Sequence, residues 1–176
     1  MRRQTGAALI TGLIFLVVLT LVALAGMRTT LMEQRMATNS RNRDTAFQAA
    51  EAALRKGIAD LRGGTILKIN FPAAGAGCTS SAPMGLCRAA PIGSPPIWNT
   101  IFPPGQASTS SQAATNTSIA SPLVANSPQY IIELLPDVQA PGGSLGQMVT
   151  PYRITARGWG RTSEAQATVQ ATYLVY

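Results

Sequence analysis

Histidine is absent from this 176-residue chain, cysteine occurs only at Cys78 and Cys87, lysine only at Lys56 and Lys68, and charged residues make up 12% of the whole. Without histidine the commonest general base and metal ligand is missing. Two thiols alone do not make a zinc site, and their spacing is not the C-x-x-C of redox enzymes. No H-E-x-x-H, G-x-S-x-G, Walker or dinucleotide fingerprint is present, and neither lysine sits in a motif. These absences argue against an enzyme. No catalytic residue, metal, cofactor or small-molecule substrate is expected.

What the chain does have is one long apolar run. Ala7 to Met27 carries no charge and follows the short basic leader Met1-Arg2-Arg3-Gln4-Thr5-Gly6. About 20 apolar residues at a rise of 1.5 Å each match a bilayer core of about 30 Å. The arginines before the run predict a cytoplasmic amino terminus and an exported remainder, although Arg28 stands directly beyond it. Ala23-Leu24-Ala25 ahead of Gly26 also fits a secretory cleavage site. Against that reading, the helical pattern continues from Arg28 to Leu61, and the first proline is Pro72.

The 14 basic residues, less Arg2 and Arg3, leave 12 against 7 acids. A basic excess can signal nucleic acid or anionic lipid. Here seven of the positives lie between Arg28 and Arg62, interleaved with Glu33, Asp44, Glu51 and Asp60. Mixed charge of this kind reads as a solvated or subunit-facing helix surface, and the support for nucleic acid is weak.

Between Thr29 and Arg62, Phe47, Ala50, Leu54 and Ile58 form one stripe at helical spacing, predicted to seat the helix on a sheet. Ala49, Ala50, Ala52 and Ala53 favour helix and permit close approach, and Gly63-Gly64 supplies a stop. An unbroken helix from Ala7 to Arg62 would be roughly 84 Å long at 1.5 Å per residue. Polar residues from Thr38 to Thr45 predict fraying, and Gly26 a bend.

Beyond Gly64 the composition turns to glycine, proline, serine and threonine. Strands are predicted at Tyr130–Leu135, Val149–Arg157 and Glu164–Tyr176 from their period-two alternation. Pro151 suggests an edge or entry turn, and residues 158–163 a hairpin loop. Glu133 either pairs across strands with Arg153 or Arg157 or stays a solvated carboxylate. Cys78 and Cys87 enclose a short loop and should form a disulfide outside the cytoplasm, worth roughly 2 to 3 kcal/mol. Residues 103–128 are low in complexity and read as an exposed loop. Trp159, between two glycines, is either a contact residue or a cover for the edge of the core.

Arg2-Arg3-Gln4-Thr5-Gly6 followed by Ala7-Ala8-Leu9-Ile10 resembles a class III signal, the type found on type IV pilins and on type II secretion pseudopilins. Met27-Arg28-Thr29-Thr30-Leu31, Glu33-Gln34-Arg35-Met36-Ala37, Arg41-Asn42-Arg43-Asp44 and Ala46 to Arg55 extend the likeness to the N-terminal region of PilX-type minor pilins.

The resemblance implies an α+β, pilin-like fold: a long N-terminal helix, its first half transmembrane, packed on a C-terminal antiparallel sheet. It divides the chain into a leader (1–6), a membrane or filament-core helix (7–27), an amphipathic continuation (28–62) and a periplasmic head (63–176). It also implies prepilin-peptidase cleavage between Gly6 and Ala7, with methylation. Ala7 then becomes the first mature residue and Thr11 the fifth, where shaft-forming pilins carry glutamate.

That carboxylate offsets a neighbouring terminal ammonium in an apolar core, so Thr11 implies a place at the tip, unless its hydroxyl simply bonds back to its own helix. The implied partners are other minor pilins, the major pilin, the prepilin peptidase, the inner-membrane assembly platform and the membrane. The implied location is the inner membrane and then the pilus at the cell surface, with attachment and twitching motility as outcomes. The alternatives are a type II secretion pseudopilin or a membrane-anchored or secreted binding module.

Overall fold

The computed structural model describes residues 6–64, 66–74, 76–79, 85–103, 115–116, 123–140 and 146–175. Two compact units are present, one up to Ser40 and one from Arg41 to Tyr176.

The first unit is helix alone. Helix α1 spans Ala7–Arg62, and in the first unit every large apolar side chain from Leu9 to Met36 is exposed. Each residue is helical through Gly26. The hydroxyls of Thr11, Thr20, Thr29, Thr30 and Thr38 donate to carbonyls three or four residues back. Polar groups satisfied within the helix suit a medium that offers no partner. Among the described residues, α1 is the one helix long and apolar enough to cross a membrane.

The second unit sets the rest of α1 against a sheet. A 3-10 turn (Lys68–Asn70) is followed by β1 (Leu86–Arg88), α2 (Ile97–Ile101), β2 (Thr115–Asn116), β3 (Gln129–Leu134), β4 (Val138–Gln139), β5 (Met148–Trp159) and β6 (Gln166–Val175). Central β5 pairs antiparallel with β3 on one side, Ile132 facing Ile154, and with β6 on the other, Ile154 facing Ala171. On the outer edge of β3 lie β2, antiparallel, and β1, parallel. Strand β4 pairs with the first residues of β5. The fold is therefore α+β as expected, with one parallel pair among the described residues of the sheet. Parallel pairing needs a long connection, and β1 and β3 lie far enough apart in the sequence to allow one.

Alternation decides the two faces. Tyr130, Ile132, Leu134, Tyr152, Ile154 and Ala156 turn toward α1 and form one core with Ala53, Leu54, Leu61, Phe71 and Leu86. On the opposite face Ile131 packs with Cys87 and Phe102, beside α2.

Small residues make the closest part of the helix seam, and of the expected stripe only Phe47 lies off it. Ala46, Ala49, Ala50 and Ala53 are buried, whereas Phe47, placed on the seam by its spacing, is 50% exposed and points away from it. The reason is backbone contact. A carbon added at Gly158 would lie 2.3 Å from the Ala50 nitrogen, 2.4 Å from the Ala46 oxygen and 2.8 Å from the Ala49 carbonyl carbon. At Gly57 it would meet Ile154 and Tyr130, and at Gly160 the backbone of Asn42. A phenylalanine has no room where two backbones touch. Leu54 lies in the core and Ile58 packs partly buried against it.

Other expectations need correction. The polar stretch Thr38–Thr45 stays helical, because Asn42 is held by the β5–β6 turn: its Oδ1 accepts from the Arg161 amide at 2.6 Å and its Nδ2 donates to Thr162 at 3.0 Å. Gly158 and Trp159 belong to β5, so the connecting turn is 160–165, closed by the Gly160 amide on the Ala165 carbonyl at 2.8 Å. Pro151 lies inside β5 because its missing N–H falls opposite Leu135, past the end of β3, while its carbonyl accepts the Leu135 amide at 3.1 Å. Helix α1 ends at Gly63-Gly64, with Gly64 at φ 69°.

Gly158→Ala is expected to destabilise the second unit by about 3 kcal/mol through overpacking against backbone. Gly26→Ala, where an added carbon meets nothing within 4 Å, should leave stability unchanged. Denaturant unfolding of the full chain in detergent micelles, followed by tryptophan fluorescence, measures both; equal stability of the two variants would refute the backbone seam.

Candidate assembly site

The expected cleavage position falls where α1 begins. Gly6 and Ala7 are exposed, and the first helical bond runs from the Ile10 amide to the Gly6 carbonyl at 3.4 Å. One turn on, the Thr11 hydroxyl donates to the carbonyls of Ala7 at 2.9 Å and Ala8 at 3.1 Å. It is satisfied within its own helix and offers no charge to a neighbour.

In the second unit, polar ties among the described residues hold α1 to the sheet. Asn42 grips the β5–β6 turn, as above. Near the helix end, the Tyr130 hydroxyl donates to Asp60, which also pairs with Lys56. Last, Arg62 donates from Nε to the Tyr173 hydroxyl at 3.1 Å, with its guanidinium 5.4 Å from that ring centre. Together the ties fix the register of the helix along the strands.

The sheet face away from α1 carries unusual polarity for a buried surface. Glu133, 0% exposed, receives two bonds of 2.8 Å from Arg153, the cross-strand partner set opposite it. The fork geometry and the charge raise the Arg153 pKa, the hydrogen bond to Glu133 being the main cause. Of the two arginines considered for Glu133, Arg153 is the partner.

Arg157 is 7% exposed. It donates to the Phe102 carbonyl at 2.5 Å, the Pro103 carbonyl at 3.1 Å and the Thr168 hydroxyl at 3.2 Å, and it lies 5.1 Å from the Phe102 ring centre. Burial pushes its pKa down, and no carboxylate partner is present among the described residues. Arg157 thus pins the chain that leaves α2. Trp159 is 1% exposed, so it belongs to the interior and not to a contact surface.

Cys78 and Cys87 are joined as a disulfide, the latter within β1. Of the low-complexity stretch, residues 104–114 and 117–122 lie outside the described residues, while Thr115 and Asn116 form β2. A cleft of about 570 Å³ opens beside β1, lined among others by Lys68, Arg88, Pro91, Leu134 and Asp137. Lys68 bonds both Asp137 oxygens at 2.8 Å and, with Thr150, holds that carboxyl below its usual pKa.

Residues 5–55 match the PilX N-terminal family, and residues 75–175 match the C-terminal family of the type IV pilus assembly protein PilX. This chain belongs to the PilX family. No curated protein and no solved structure was found to match it. PilX membership makes the chain a component of type IV pilus assembly, and the apolar N-terminal helix fits a membrane-anchored one. The family description concerns neither secretion pseudopilins nor free binding modules.

Sequence reasoning missed Gly57, Gly158 and Gly160 as the seam and Arg157 as an anchor. The signal was present in Ala46, Ala49, Ala50, Ala53 and Gly57 at helical spacing, and in two glycines flanking a tryptophan at the end of a strand.

Arg153→Met is expected to cost about 3 kcal/mol, because Glu133 would keep its buried charge without a partner. The double change Glu133→Leu with Arg153→Met should recover most of that loss. Chemical denaturation of the three proteins checks this; a single-variant loss below about 1 kcal/mol would mean the pair behaves as a surface pair.

Proposed function

We propose that this PilX-family chain is a minor pilin of the complex that primes pilus assembly and remains at the tip, supporting attachment and twitching motility. The observation that carries the proposal is the uncharged fifth mature position. With cleavage between Gly6 and Ala7, Thr11 stands where shaft subunits carry glutamate, and its hydroxyl is already bonded within α1. An ammonium brought into an apolar core beside Thr11 stays uncompensated, which costs several kcal/mol. The chain's own terminal ammonium can be met by the acid of a subunit added beneath it, but Thr11 offers no acid to a subunit above, and this suits a place at the tip.

Before assembly the apolar helix holds the chain in the inner membrane, with the amino terminus cytoplasmic and the head periplasmic, consistent with the arginines ahead of Ala7. The prepilin peptidase, the assembly platform, the other minor pilins and the major pilin are its partners in this reading.

Thr11→Glu tests the position. The variant should move from tips into shafts, raising its ratio to major pilin in sheared filaments roughly tenfold, the effect of about 1.4 kcal/mol. Quantitative mass spectrometry of sheared pili reads the ratio; an unchanged ratio with normal processing would contradict tip placement.

A further inference from the structure

Strand β6 is the last strand of its sheet. It pairs over its whole length with β5, and no strand among the described residues pairs with its other edge. The register fixes which backbone groups that edge presents. The Gly160 amide bonds the Ala165 carbonyl, so the hydrogen-bonded pairs of this antiparallel ladder recur at every second position and include Ala156 with Val169 and Ile154 with Ala171. Pro151 agrees with this phase, since its missing N–H falls away from β6. The amides and carbonyls of Thr168, Gln170, Thr172 and Leu174 therefore point outward, away from β5.

Long edges of this kind are usually blunted by lysine, proline, a bulge or shortness. Strand β6 has none of these. It is ten residues long, and from Ala165 to Val175 there is no charge and no proline. We propose that the outer edge of β6 accepts an extended strand from a different subunit of the pilus, which continues the sheet.

The side chains beside the vacant lane define the chemistry of the incoming strand. On the α1 face Val169, Ala171 and Tyr173 are partly buried apolar neighbours. On the other face Thr168, Gln170 and Thr172 are exposed. The matching segment alternates apolar residues with uncharged hydroxyl or amide residues, because β6 offers no countercharge.

A second copy fits badly. Antiparallel pairing of β6 with itself requires a two-fold axis through the sheet, and that axis reverses the direction of α1 on the sheet face. The amino-terminal ends of the two helices would then point opposite ways, incompatible with subunits entering one filament from one membrane. The inference rests on membership of a pilus-assembly family and not on tip placement.

Residue-resolved hydrogen exchange on the full chain in detergent micelles, alone and purified with co-expressed pilus subunits, tests it. Alone, the amides of Thr168, Gln170, Thr172 and Leu174 should exchange about 100-fold faster than those of Val169, Ala171 and Tyr173, whose amides face β5. In the complex the outward set should slow to the inward rates. Unchanged outward rates in the complex would overturn the proposal, as would outward amides already slow in the chain alone. Slowing that appears in the chain alone as its concentration rises would assign the edge to a second copy and overturn it too.

Thr172→Pro supplies a second reading. It removes one outward donor and no β5–β6 bond, so the head should stay folded and the peptidase should still process the chain, yet the other subunits should no longer co-purify. Retained co-purification by a folded Thr172→Pro chain would refute strand addition. Loss of processing in the unmodified chain would instead count against the assembly role itself.

Discussion

The uncharged run from Ala7 to Met27 must be solvated by something other than water, and most other features follow from that constraint. Leu9, Ile10, Leu13, Ile14, Phe15, Leu16, Leu19, Leu21 and their neighbours are exposed around the whole circumference of the helix. At about 1.5 to 3 kcal/mol for each large side chain left in water, the penalty is on the order of tens of kcal/mol. That exceeds the net stability of an ordinary domain. Lipid can supply the missing surroundings, and so can the packed helices of a filament. Membership of a pilus-assembly family fits a membrane-anchored component, and the packed environment of a filament belongs to the proposed role.

From Arg41 onward the same helix meets a different demand, which is to carry a folded head. Glycine and alanine answer it by letting the helix and strand backbones touch at Gly158, so that the contact is set by backbone and not by adjustable side chains. Asn42, Asp60 and Arg62 then lock the helix against sliding. On the far side of the sheet Arg157 ties the chain leaving α2, and the disulfide closes the loop before β1. The head is held from both faces, while no strand among the described residues pairs with the outer edge of β6.

Periodicity made much of this legible. Alternation at Tyr130–Leu135, Val149–Arg157 and Glu164–Tyr176 located the principal strands to within a few residues, since one face of each is buried. Opposite charges on nearby strands left both Arg153 and Arg157 open to Glu133, and register chose Arg153, while the disulfide followed from two cysteines in a chain expected to be exported. The seam escaped because hydrophobicity ranks Phe47 above Ala46, whereas close packing ranks them by size. Pro151 sits where β3 has already ended, in keeping with an edge at the start of its strand, although which neighbour ends there is a property of register and not of local sequence. Strands β1, β2 and β4 are too short to leave a period, and the buried role of Arg157 depends on α2, which carries no strong local signal.

The claim on which the account turns is that the apolar part of α1 persists in the mature protein. Intact mass of the chain purified from membranes of cells that contain the prepilin peptidase tests it most directly. The account predicts a mass beginning at Ala7, with or without one added methyl group, in a chain that remains with the membrane or pilus. A product beginning at Gly26 or later, free in the soluble fraction, would contradict it.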